Sequence, residues 1–144
     1  FHGFFIDLSR ELTPPGEPSQ GCGTFPFYNP DIGLSVTGYY NTADLASVDE
    51  LVSYYLKPDD EQKSDVVVVE KAYIRLRGIP AIHYVVHFSD PKSGLAMISD
   101  NIAAIRRGYF VYEIGLTTLA SRYLEEAPVL EQVIKGWKLL PFYE

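Results

Sequence analysis

Thirteen residues in the middle of the chain, DVVVVEKAYIRLR from Asp65 to Arg77, constrain the fold more than any other stretch. Their even positions are Val66, Val68, Glu70, Ala72, Ile74 and Leu76, and their odd positions Val67, Val69, Lys71, Tyr73, Arg75 and Arg77. That separation has a period of two, which a pleated strand produces and a helix does not. A second apolar stretch, PAIHYVVHF, follows within a few residues. Gly78 between them is free to take a positive φ, so RGI at 77 to 79 is predicted as a three-residue hairpin loop. Leu76 then pairs with Pro80, and even positions face even positions. Ile82, Tyr84, Val86 and Phe88 join the apolar even set, while Ala81, His83, Val85 and His87 join the face of Lys71, Tyr73 and Arg75.

The hairpin also decides how HYVVH, residues 83 to 87, is to be understood. On a helix, two imidazoles four positions apart could hold one metal ion. On a strand rising about 3.3 Å per residue they stand about 13 Å apart, too far for metal bonds near 2.1 Å. The expectation is two half-exposed strand histidines and no metal site.

Other elements group around this hairpin. FHGFFIDL and TFPFYNPDIGLSVTGYY are rich in aromatic and β-branched residues and are predicted as strands, the second divided at Asn29, Pro30 and Asp31. Between them, residues 12–23 hold three prolines and three glycines, which implies a surface loop inside a single domain spanning 1–144. Ser47 followed by Glu50 is a capping box, and Val48, Leu51, Val52, Tyr55 and Leu56 then share one helical face, with Pro58 and the acidic DDE ending the helix. After a turn at Ser89 to Gly94 come LAMISDNIAAIRR and YFVYEIGLTT, two strands joined at Arg107 and Gly108, although DNIAAIRR also suits a short helix. LASRYLEEAPVLEQVIKGW is helical by pattern. Leu119, Tyr123 and Leu124 are expected to form one apolar patch, Pro128 to interrupt or restart the helix, and Gly136 to stop it. WKLLPF closes as a strand or a packed tail.

Composition removes several function classes. No apolar run approaches the roughly 20 residues that span a bilayer. The formal net charge is -7, and residues 1 to 62 carry ten Asp and Glu against Arg10 and Lys57. Such a field repels phosphate backbones, so nucleic acid is not an expected partner. Cys22 is the single cysteine, which excludes an intrachain disulfide and a four-cysteine zinc site. The chain opens on Phe1 and its one methionine is Met97, as expected of a sequence that has lost its initiator and any leader with it. A cytoplasmic and a periplasmic or exported location both suit it.

Catalytic signatures are sparse. GxSxG is missing, and GEPSQGCG has glycines without the Lys-Ser/Thr ending of a phosphate loop. The acidic pairs at 49–50, 59–61 and 125–126 have structural explanations at helix starts, turns and exposed helix surfaces. Glu70 differs, because it falls between Val68 and Ala72 on the apolar face of a strand and needs a partner, for which Arg106 across the sheet is the candidate. Eleven tyrosines and eight phenylalanines exceed what a core of this size needs and suit a contact surface. The candidate partner-binding residues are Tyr73, Arg75, Arg77, His83 and His87, a local basic patch on an acidic protein.

Taken in order, DELVSYYL, the hairpin around IRLRGIPAIHYVV, GYFVYEIGLTT and VLEQVIKGWKLL resemble the PsbP-like superfamily from about Phe25 onward. The resemblance implies an α+β fold, an α/β/α sandwich with helices on both faces of an antiparallel meander, used as a binding or assembly module. It brings no catalytic residues. The function expected is therefore a non-enzymatic, chaperone-like or accessory domain that binds another protein, with no cofactor and with homo-oligomers compatible. The rival is a small-ligand-binding or hydrolytic domain with a pocket near Glu70 and the sheet.

Overall fold

A computed structural model describes residues 4–6, 25–29, 32–57 and 64–140. The Pro/Gly-rich stretch 12–23 with Cys22, and the acidic residues 59–61, lie outside these. The described elements are β1 (Phe4–Ile6), β2 (Phe25–Asn29), β3 (Ile32–Tyr40), α1 (Val48–Tyr55), β4 (Ser64–Leu76), β5 (Ile79–Ser89), β6 (Ala96–Arg106), β7 (Phe110–Leu119), α2 (Tyr123–Gly136) and β8 (Trp137–Leu139). A 3-10 turn, Ala120–Arg122, leads into α2. Six strands form one antiparallel sheet in the order β2-β3-β7-β6-β5-β4, and β1 pairs with β8 separately. The segment DNIAAIRR is strand throughout.

Each helix covers one face of the sheet. Under α1, Leu51 and Val52 pack on Ile82, Tyr84, Ala103 and Val111. On the other face, Leu130 and Val133 of α2, with Trp137, pack on Ala81, Ile102, Tyr112 and Ile114. Alternating side chains of the same strands thus feed two separate cores, as period-two patterning requires. The Trp137 indole meets the Tyr112 ring edge-on, with centroids 5.2 Å apart. Helix α1 starts at Ser47, whose hydroxyl accepts from the Glu50 N–H at 3.2 Å, while the Glu50 carboxylate accepts from the Ala46 N–H at 2.8 Å. The second arm of the box therefore reaches one residue further back than its usual target.

The β4–β5 register differs from the expected one. Leu76 pairs with Ile79 and Arg75 with Pro80, so the loop is the two residues Arg77 and Gly78 rather than 77 to 79. Both have positive φ, 51° and 84°, as the tight turn that matches strand twist demands. Arg77 accepts a conformation that glycine adopts more readily, and this single step exchanges the faces of β5 relative to β4. Ile82 and Tyr84 therefore stand opposite Tyr73 and Lys71 on the α1 side. His83 stands opposite Ala72 on the α2 side.

Helix α2 is also simpler than expected. It runs through Pro128, which lies on its exposed side and does not interrupt it. Leu124 is 88% exposed, so the patch expected of Leu119, Tyr123 and Leu124 does not form.

Candidate functional site

Three adjacent strands place Glu70, Val85 and Asp100 in line across the α2 face, with His83 two residues from Val85 on the same side. Tyr123, the first residue of α2, comes down onto the same spot. His83 Nε2 lies 2.6 Å from Asp100 Oδ1, and the Tyr123 hydroxyl donates to Asp100 Oδ2 at 2.6 Å. Glu70 Oε1 lies 3.8 Å from His83 Nδ1, within ion-pair reach. Glu70 therefore faces a histidine rather than Arg106, which donates to the Leu140 carbonyl at 2.9 Å. β5 separates β4 from β6, and Arg106 sits at the far end of β6, beyond Glu70's reach.

The electrostatics follow from these contacts. The hydrogen bond to Asp100 raises the His83 pKa above its usual value, against the opposing effect of burial and with help from the charges of Asp100 and Glu70. Burial works against the Asp100 carboxylate, yet the hydrogen bonds from His83 and Tyr123 outweigh it and hold its pKa low. Burial, then the bond to Asp100, pushes Tyr123 upward. Alongside, Thr118 donates to the buried Glu126, whose other oxygen lies 3.0 Å from Arg122. The result is a polar joint between the start of α2 and four strands. One imidazole nitrogen is committed to Asp100 and the other faces a carboxylate.

The expected basic patch is divided by the register. Tyr73 and Arg75 lie on the α1 side, where the Tyr73 hydroxyl donates to Asp49 Oδ1 at 2.7 Å and Lys71 reaches the same oxygen at 2.9 Å. Asp49 occupies the first turn of α1, where negative charge is favoured. Arg75 donates to the Gly78 carbonyl at 3.0 Å. Arg77 donates to the carbonyls of Trp137, Ile134 and Lys135 at 2.9–3.0 Å, closing the C-terminal end of α2. His83 and His87 point to the opposite side, with His83 in the polar joint and His87 exposed. Among the described residues, no group of three or more His, Cys, Asp or Glu side chains is placed to hold a metal ion.

Two features escaped the sequence. On the α1 face beyond the helix, the Asn101 amide donates to Ser99 at 3.0 Å, and Ser99 lies 3.1 Å from the Thr117 hydroxyl. Asn101 Oδ1 would stand 2.6 Å from a Cβ on Gly115, so a larger residue there would displace the Asn101 amide. The other feature is the start of β4. Val66, Val67, Val68 and Val69 are 38%, 55%, 41% and 50% exposed. Two register irregularities, between Ser64 and Val67 and between Val68 and Glu70, bend this half of the strand. Among the described residues β4 has a neighbour on one side only, leaving backbone donors and acceptors along its outer edge. A run of identical valines carries no alternation, so periodicity could not reveal this exposure.

Solved structures share this fold along nearly the whole chain. A Pseudomonas aeruginosa protein of unknown function, PA94, described as a putative regulator, superposes with a TM-score of 0.64 at 15% identity, covering 99% of each chain. Mycobacterium tuberculosis LpqN, described as involved in cell envelope biogenesis, gives 0.59 at 11% identity over 96% of this chain and 83% of its own. Cyanobacterial PsbP from Synechocystis gives 0.53 at 12% identity over 95% and 82%. The fold is PsbP-like. No protein-family model matches the sequence, and no curated protein matches it. At these identities the PsbP-like likeness establishes the fold and leaves function to the residues. None of the helices in the described residues is long and apolar enough to cross a membrane.

Proposed function

We propose that this chain is a non-enzymatic accessory domain, chaperone-like or assembly-type, that binds another protein at the β4 edge of its sheet. The observation that carries this reading is the four consecutive exposed valines on a terminal strand. Adding a strand there would satisfy the outer backbone groups and cover the apolar side chains in one step. Of the residues singled out in the sequence, Tyr73 and Arg75 flank this edge on the α1 side, and His87, opposite Val67, flanks it on the other. Arg77 and His83 contribute indirectly, by closing α2 and by anchoring its first turn. The envelope role stated for LpqN favours a periplasmic or exported setting.

Affinity capture from an extract of the source organism tests the reading, with the intact chain and a Val67→Lys/Val69→Lys variant as paired baits. A stoichiometric protein held by the first and lost by the folded second is the expected result. Equal capture by both would sink it. A second reading, a small-ligand or hydrolytic site, draws on the 3.8 Å gap between Glu70 and His83 Nδ1. It requires His83→Gln to abolish binding of a ligand identified by screening.

A further inference from the structure

The exposed half of β4 has a charge signature. Asp65 precedes the four valines and Glu70 follows them, both exposed, within a chain whose formal net charge is -7. The nearest cation in the strand, Lys71, already lies 2.9 Å from Asp49. Glu70 meets His83 at 3.8 Å, yet its side chain stays 60% accessible. An incoming strand thus meets an apolar centre with a carboxylate at each end.

We propose that the occupant of the β4 edge is an extended segment of a partner protein whose short apolar, β-branched run is bracketed by Lys or Arg. This rests on the protein-binding reading of the same edge. Backbone pairing holds such a segment without regard to sequence, the valines select apolar neighbours, and the two carboxylates select its flanks. A second copy of this chain fits poorly. An antiparallel ladder centred on the valines brings Asp65 and Glu70 of one copy within about a residue step of Glu70 and Asp65 of the other, and like charges that close destabilise pairing.

Two blocked peptides serve as probes, Lys-Val-Thr-Val-Thr-Lys and Glu-Val-Thr-Val-Thr-Glu. Each is titrated into the isotope-labelled full chain and followed by amide chemical shifts. The basic peptide is expected to shift residues 65–71 and to bind about five-fold more tightly than the acidic one, the factor that two exposed ion pairs supply. An Asp65→Asn/Glu70→Gln variant is expected to bring that ratio close to one. Asparagine tolerates the positive φ of 53° at position 65, so this variant keeps the backbone. No shifts with either peptide, equal affinities in the intact chain, or shifts centred away from β4 would overturn the proposal. So would a concentration-dependent dimer in sedimentation that the Val67→Lys/Val69→Lys variant abolishes. If a captured protein still depends on Val67 and Val69 while the peptides show no charge preference, this inference fails and the protein-binding reading stands.

Discussion

Both ends of β4 carry branched aliphatic side chains, and these meet opposite fates. Leu76 is 4% exposed and packs in the α2 core with Ile74 against it, whereas the four valines from 66 to 69 are 38–55% exposed. Side-chain hydrophobicity does not separate them, since valine, isoleucine and leucine all favour burial. What separates them is how far the covering layers extend. The α2 core closes over the Leu76 end, and α1 covers β5 and β6 rather than the start of β4, where the pairing with β5 is irregular. An apolar strand segment that no described layer covers is better suited to recognition than to stability.

The largest effect is expected at the Leu76 end. Leu76→Ala should cost about 3 kcal/mol and lower the melting temperature accordingly, because it removes buried contacts and leaves a cavity. Val67→Ala should change stability by no more than about 0.5 kcal/mol. Comparable losses from the two substitutions in denaturant titrations would show that the exposed half is packed.

The polar joint comes next. Asp100→Asn should cost roughly 2 kcal/mol, since His83 and Tyr123 lose a charged acceptor in a mostly buried site. Tyr123→Phe should cost less and loosen the first turn of α2 selectively, which hydrogen exchange reports. The joint also sets a pH dependence. His83 has a raised folded pKa, so its contribution is complete below its unfolded value of about 6.5 and disappears as pH climbs through the folded value. Asp100 has a lowered one, so its contribution holds above the ordinary carboxylate value and fades as pH falls through the folded value. His83→Gln should flatten the upper limb of the stability profile and also shrink the lower limb, because Asp100 loses the charged donor that helps hold its pKa low. An unchanged upper limb would remove His83 from the joint.

A smaller effect checks the cover over the other face. Ser47→Ala should cost about 1 kcal/mol by removing the α1 cap. Unaltered stability would mean that Asp49, which Lys71 and Tyr73 hold, fixes the helix start alone.

Legibility in the sequence followed the range of the interactions. Ser47 and Glu50 mark a helix start because capping acts within four residues, and both helices, the meander and the closing strand were recoverable from period and turn chemistry. The break between β2 and β3 fell where Asn29, Pro30 and Asp31 indicated. The hairpin register was not recoverable, because it turns on whether Arg77 takes a positive φ, and Gly78 alone suits both loop lengths. That one-residue difference moved His83 from the side of Tyr73 and Arg75 to the side of α2. Its partners Asp100 and Tyr123, 17 and 40 positions away, could not be anticipated without it. The valine run was silent for a different reason, since four identical residues name no face.

Hydrogen exchange of the full chain, free and bound to its captured partner, tests the role of the β4 edge most directly. Slowed exchange is expected at residues 65–71 on binding, with Ile74 and Leu76 already protected in the free protein. Protection that appears instead around the exposed Tyr40, Tyr109 or Leu124, with residues 65–71 exchanging as before, would contradict it.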